Sequence, residues 1–239
     1  MISDSGQRPG IRSGTCCRNQ SVSIFSKTVC IVRRRDNARE ELTVEYDIIE
    51  LGSRIRKQLP KKRFWHTVGV AYTASDMALI FGESGNRALI AGLLHDCAKY
   101  LSDQEILSEC IRHDIPVSGV EKEQSFLLHA KLGAYYAEQE YGIKDEGILS
   151  AIRWHTTGRP EMTVLEQIVY LADYIEPLRT QPTEPPLDEI RRMCFTDLDR
   201  AVYLVADNTI RYLRSEGTRM DPMTERTYLY YKERIDARG

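Results

Sequence analysis

GLLHDCAKY, residues 92–100, ends an apolar run with an adjacent imidazole and carboxylate, His95 and Asp96, and places Lys99 three residues further on. Both groups are strong donors to divalent ions, so a His-Asp pair at the end of a buried helix is a natural start for a metal site. The rest of the histidine inventory makes the pair informative. Of the five histidines in the chain, His66, His129 and His155 share the setting of His95, within a helical pattern or near its end, and Asp173 follows in the same kind of context. His113 differs: it stands beside Asp114 near a helix end, where the dipole favours a cation, and it has no place in the pattern.

Working outward, the pattern is helical from Asp47 almost to the end. Ile48, Leu51, Ile55 and Leu59 repeat on one face until Pro60 closes the helix. A second helix over 61–81 sets His66, Val70 and Thr73 on one stripe, and a third over 86–96 carries His95 above Ala88 and Ala91. Ser102 with Glu105 forms a capping box for a fourth, which ends before Pro116. A fifth over 125–140 aligns His129 with Gly133 and Tyr136 and stops at Gly142, a C′ residue. In the sixth, Ile148, Ile152 and His155 share a face before Gly158 and Pro160. Thr163 with Glu166 caps a seventh, carrying Val169 and Asp173 one turn apart until Pro177. A proline-rich loop (182–186) then leads to a short helix, a longer one over 197–214 and a last one after Pro222. The expected fold is all-α, a single helical domain over 47–239 without internal repeats.

Residues 1–46 show no sustained period, apart from a brief strand signal over 29–32, and read as a disordered tail or as a misassigned start upstream of the true one. This stretch carries eight Lys/Arg against five Asp/Glu, including the Arg33–Arg35 run, while the whole chain has a net charge of −2. That balance gives no global reason to expect nucleic acid, although a local basic patch can still hold a small anion. Six cysteines without a CxxC pair fit a reducing cytoplasm. No apolar run reaches the roughly 18 residues of a membrane span, and no secretory apolar region opens the chain.

The ordered set His66, His95-Asp96, His129, His155, Asp173 resembles the HD-domain metal-dependent phosphohydrolases, whose helices place these residue types around one metal ion or two. A one-metal version needs His66, His95, Asp96 and Asp173 alone, which leaves His129 and His155 without a task. With them, Asp96 can bridge two divalent ions, one held also by His66, His95 and Asp173 and the other by His129 and His155. Mixed nitrogen and oxygen ligation suits a transition metal, iron first, with manganese, cobalt or zinc as alternatives, more than magnesium or calcium. Two such ions activate water and neutralise the charge that develops in phosphoanhydride hydrolysis.

The segments KRFWHTVGVAYTA (62–74), AGLLHDCAK (91–99), LLHAKLGA (127–134), AIRWHTTGRPEMTVLEQIVYLADYIEPLR (151–179) and TRMDPMT (218–224) are similar to the bacterial YqeK-type HD proteins, over about residues 47–233. That family hydrolyses diadenosine tetraphosphate symmetrically to two ADP. The resemblance implies a dinucleoside polyphosphate substrate, an ADP product, no membrane partner and a cytoplasmic enzyme. It gives Asp96 and Lys99 catalytic roles and implies phosphate contacts from Arg63, Lys99, Arg179 and Thr156. It also places Met220, Asp221, Pro222 and Thr224 near the nucleoside end. Forked guanidinium donors and a compact ammonium both suit a highly anionic phosphate chain. Some relatives carry a fused nicotinate-nucleotide adenylyltransferase; the 46-residue leader here has no HxGH motif, so that activity is not implied.

Plainer roles stand beside these. Lys99 can be a helix-end charge, Arg179 a partner of Glu176, and Arg63 a solvated surface residue. Cys97 lacks an activating base and is not read as a nucleophile. An HD hydrolase of another nucleotide (a nucleoside di- or triphosphate, a cyclic nucleotide or an alarmone) and a non-catalytic nucleotide-sensing HD protein stay open as alternatives, as does a homodimer.

Overall fold

Asp47, extended and with its carboxylate accepting from the Ile49 and Glu50 amides, starts the first helix of a chain that is helical from there onward in a computed structural model. The structure describes residues 30–31 and 44–238. Most of the leader expected to be disordered or misassigned, including the Arg33–Arg35 run, lies outside the described residues. Within it, β1 (Cys30–Ile31) and β2 (Val44–Glu45) pair antiparallel, with Cys30 opposite Glu45 and Ile31 opposite Val44.

From Tyr46 the architecture is all-α. The helices are α1 (Ile48–Gln58), α2 (Lys61–Ile80), α3 (Gly85–Leu94), α4 (Asp103–Arg112), α5 (Gly119–Glu123), α6 (His129–Gln139), α7 (Glu146–Trp154), α8 (Val164–Ile175), α9 (Leu187–Cys194), α10 (Leu198–Ser215) and α11 (Pro222–Asp236). Both expected capping boxes form, Ser102 with Glu105 and Thr163 with Glu166. Gly142 takes the left-handed φ of +73° that the chain needs to leave α6.

α8 is the hub. Every residue from Leu165 to Ala172 is buried, as its nearly all-round apolar sequence requires. α2, α3, α7 and α10 pack against it, α3 also packs on α2 and α7, and α6 packs on α7. α2 and α3 approach closely where Gly92 lies against the Ala71 backbone. α9 and α11 complete the outer layer on α10.

Two boundaries and one short helix differ from the periodic reading, each for a local reason. The third helix was expected through residue 96, but α3 ends at Leu94 and the chain continues in tight turns closed by i→i+3 bonds, Cys97 N–H to Leu94 O (3.1 Å) and Lys99 N–H to Asp96 O (2.9 Å). The fifth helix begins as a 3-10 turn over Ser125–Leu128 and becomes α only at His129. The short α5, with its own capping box of Ser118 and Glu121, was not expected at all.

Candidate metal centre

Five of the six candidate ligands are brought to one buried point by the ends of helices, and the sixth by the middle of one. His95 and Asp96 follow the end of α3, His129 opens α6, His155 caps the end of α7, Asp173 lies in the last turn of α8, and His66 sits inside α2. All four imidazoles and Asp96 are buried; Asp173 is the most open, its side chain 23% exposed.

Asp96 divides the set. Its Oδ2 lies 3.3 Å from His95 Nε2 and 3.8 Å from His66 Nε2, and Asp173 Oδ1 closes that side at 3.1 Å from His66 Nε2 and 3.9 Å from His95 Nε2. Its Oδ1 faces the other pair, 3.3 Å from His129 Nε2 and 3.8 Å from His155 Nε2. The Thr156 hydroxyl stands 3.3 Å and 3.2 Å from those same two nitrogens.

The hydrogen bonds on the far side of each ring fix what faces inward. His95 Nδ1 lies 2.6 Å from Gly92 O and His155 Nδ1 2.7 Å from Ile152 O, while His129 Nδ1 meets Phe126 O at 2.5 Å. A carbonyl only accepts, so each Nδ1 carries the proton, and a neutral ring then turns a bare Nε2 lone pair to the centre. Burial drives the His129 imidazole down to about 3 and the His155 imidazole down to about 4, so both are neutral near pH 7. Their Nε2 atoms nevertheless stand 3.0 Å apart with no proton to share, and Thr156 can donate to only one of them. His66 Nε2 and His95 Nε2 are likewise buried without a hydrogen-bond partner. The facing lone pairs of His129 and His155, with the unpartnered Nε2 atoms of His66 and His95 beside two carboxylates, call for a cation among them. The donor set therefore fits divalent metal, and two clusters, His66-His95-Asp173 and His95-Asp96-His155, have ligand atoms close enough to share an ion.

Although burial alone would raise both carboxyls, the His95 imidazole above all holds Asp96 well below the usual carboxylate range. His66 and His95, with Arg179, do the same for Asp173. Burial pushes His95 down, but the Asp96 and Asp173 carboxylates and the Gly92 carbonyl together outweigh it and raise the ring.

The cations expected at phosphate border this centre. Arg63 Nη1 donates to Asp96 Oδ2 at 2.9 Å, and Arg179 Nη2 donates to Asp173 Oδ1 at 2.7 Å; each side chain is more than a third exposed. Arg179 thus pairs with Asp173 and not with Glu176. Lys99 makes no ion pair among the described residues; its ammonium stands 6.0 Å from the Phe126 ring, and burial lowers its pKa against the pull of Asp96. Cys97 is a buried thiol donating to Gly133 O, raised far above its ordinary pKa by burial. His113 is remote from the cluster, bonded to the Tyr135 hydroxyl and to Glu109.

Beyond Thr156 opens a cavity of about 360 Å³ between α5, the end of α7 and the start of α11. Asp221 and Pro222 line it, whereas Met220 and the buried Thr224 do not, and the Asp221 carboxylate is already engaged as the cap of α11. Arg153, Trp154 and Arg226 also line it, and neither arginine has an ion-pair partner among the described residues. None of these three stands out as a site residue in the sequence; Arg153 and Trp154 lie inside the segment 151–179 and Arg226 just beyond 218–224. The sequence also gives no role at the centre to Glu176, which is buried and lies 3.0 Å from His66 Nδ1.

Known proteins share this chain's sequence and fold. The HD domain family matches residues 63–178. The symmetrical bis(5'-nucleosyl)-tetraphosphatase of Bacillus subtilis is 40% identical over 174 residues, covering 73% of this chain and 91% of that protein. Its counterpart in Halalkalibacterium halodurans is also 40% identical, with the same coverage. A crystal structure from Clostridium acetobutylicum, of a protein described as a predicted HD superfamily hydrolase involved in NAD metabolism, superposes with a TM-score of 0.75 at 36% identity, covering 79% of this chain and 98% of that one.

Proposed function

The chain belongs to the HD-domain family of symmetrical bis(5'-nucleosyl)-tetraphosphatases, and from that premise we propose that it hydrolyses diadenosine tetraphosphate at its central anhydride to give two ADP. The observation that carries the reading is the division of Asp96. One carboxylate oxygen faces His66 and His95, the other faces His129 and His155, and Asp173 completes the first side.

In this proposal His66, His95, Asp96 and Asp173 hold one divalent ion and Asp96, His129 and His155 hold a second, iron before manganese, cobalt or zinc. Such a pair supplies Lewis acidity at the scissile phosphorus and makes water a competent nucleophile near neutral pH. The chain's own groups do the rest. Arg63 and Arg179, forked donors at the open edge, exchange their carboxylate partners for phosphate oxygens and set the line of the polyphosphate. Lys99, unpaired and partly buried, donates to the charge that develops on the departing diphosphate. Thr156 links the centre to the cavity, where the apolar wall with Arg153 and Arg226 suits one adenosine diphosphate half. Among the described residues no helix is long and apolar enough to cross a membrane. Buried free thiols at Cys97, Cys110 and Cys194 support a reducing cytoplasm.

Anaerobic purification with elemental analysis, followed by chromatography of the products from diadenosine tetraphosphate, tests the proposal. About two metal ions per chain with ADP as the sole product is the expected result. ATP plus AMP, or no turnover by metal-loaded protein, overturns the substrate; protein that takes up no metal overturns the centre.

A further inference from the structure

Four imidazoles converge on one point, and three of them are oriented in one way. His95, His129 and His155 each bond through Nδ1 to the carbonyl three residues earlier, Gly92, Phe126 and Ile152. That device needs a carbonyl without an i+4 donor. For His95 and His155 it is one of those left over where α3 and α7 end, and for His129 it belongs to the 3-10 turn before α6. His66 cannot use it. It lies one turn into the twenty-residue α2, where the carbonyls already accept from the helix ladder.

Its Nδ1 instead meets Glu176 Oε1 at 3.0 Å, across 110 residues of sequence. Glu176 is 1% exposed and follows the last residue of α8, so the same helix end supplies both Asp173 to the inner face of the ring and Glu176 to its outer face. The other oxygen, Oε2, accepts from the Leu178 amide at 2.7 Å, which fixes the carboxylate plane. The approach depends on Gly69: a Cβ there would lie 2.7 Å from Oε2 and 3.4 Å from Glu176 Cδ.

We infer that Glu176 is the positioning residue of the metal centre. It holds the proton of His66 on Nδ1 and turns the Nε2 lone pair toward Asp96 and Asp173, and Gly69 is the space that lets it do so. A carboxylate behind a ligating imidazole fixes both tautomer and ring orientation and makes the ligand more basic. This inference rests on the metal reading above, but its first readout needs no metal.

In metal-free protein labelled with ¹⁵N-histidine, long-range ¹H–¹⁵N spectra should show His66 as the Nδ1–H tautomer in the wild type and in Glu176→Gln, whose amide oxygen still accepts. Glu176→Ala should release the ring to a mixture. Competition against a chromophoric chelator for Co²⁺ should then show one of two binding phases weakened by about 10–100-fold in Glu176→Ala, with most of the loss restored in Glu176→Gln. Gly69→Ala should weaken the same phase. A general loss of folding would instead lower both phases and would not be rescued by glutamine. Wild-type His66 protonated on Nε2, or wild-type Co²⁺ affinity in Glu176→Ala, overturns the role of Glu176 alone. Wild-type protein that binds no Co²⁺ removes the metal centre and this role with it.

Discussion

Replacing Gly92 by alanine gives a sharp test of how α2 and α3 fit together. A methyl carbon at residue 92 would stand 2.7 Å from Ala71 Cα, 3.0 Å from Ala71 N and 3.2 Å from Val70 C. Carbon atoms in contact prefer about 3.5–4.0 Å, so the two helices must part by roughly 1 Å at this layer. All three obstructing atoms are backbone, and no side-chain rotation relieves them. Overpacking of a well-filled core costs about 1–3 kcal/mol, and the rigidity of this contact argues for the upper end. Alanine in a helix interior returns about 1 kcal/mol relative to glycine, which leaves a net loss of roughly 2 kcal/mol. At about 2–4 °C per kcal/mol for a domain of this size, Tm should fall by roughly 4–8 °C. Gly52 in α1 is the control: nothing lies within 4 Å of a Cβ there, so Gly52→Ala should raise Tm by the helix term alone. The Gly92 variant should also lose activity while still folded. Gly92 O orients His95 and α2 carries His66, and a 1 Å error in a reacting centre can cost about 100-fold. Thermal and urea unfolding of both variants, with kcat measured well below the transition, decide the matter. A Gly92→Ala protein as stable as Gly52→Ala would refute the close packing.

Asp96→Ala should lose both metal ions and all measurable turnover, because the residue faces both histidine pairs; elemental analysis and product chromatography check it, and retained activity removes the proposed bridge. Lys99→Ala should keep its metal while kcat falls by about 10²–10³, the usual loss of one preorganised charge; metal lost along with rate would make Lys99 structural. Metal-free protein should lose stability on acidification from about pH 6.5 to pH 4. His129 at about 3 and His155 at about 4 stay neutral in the fold while the unfolded chain takes up protons at each, near 1.4 kcal/mol per pH unit per histidine, so urea midpoints independent of pH across that window would show the rings are not buried neutral. Arg153→Ala and Arg226→Ala should raise KM for diadenosine tetraphosphate and weaken ADP inhibition with kcat little changed; an unchanged KM would place the nucleotide elsewhere.

The helices were legible because their signals are local. Ser102 and Thr163 announce α4 and α8 by capping chemistry that needs no tertiary context, and each cap forms. α5 carries the same Ser-x-x-Glu signature at Ser118 and Glu121, but five residues offer no period to accompany it. The ligand candidates could be listed because His, Asp and their order are written in the chain. What could not be read is the partner of His66. Glu176 touches it across 110 residues, and a glutamate three residues before Arg179 suggests a local ion pair as readily as a role at the centre. The arginines of the cavity were hidden for the same reason, since Arg153 and Arg226 line one cavity only once the fold brings the end of α7 and the start of α11 to it.

The two errors at helix boundaries and the geometry of the site share one cause. Periodicity continues the third helix through residue 96 and starts the fifth at 125, because side-chain pattern alone sees no reason to stop. The carbonyls of Gly92 and Phe126, which lack an i+4 amide donor, accept from an imidazole Nδ1–H where α3 gives way to tight turns at His95 and where a 3-10 turn over Ser125–Leu128 precedes α6. α7 likewise ends at Trp154, just before His155. Helix termination therefore frees the carbonyls that orient these ligands. Only His66 leaves its helix intact, and only His66 requires a carboxylate from another helix to orient it. The centre is thus set by where α3 and α7 stop, by where α6 starts, and by what the end of α8 delivers to the middle of α2.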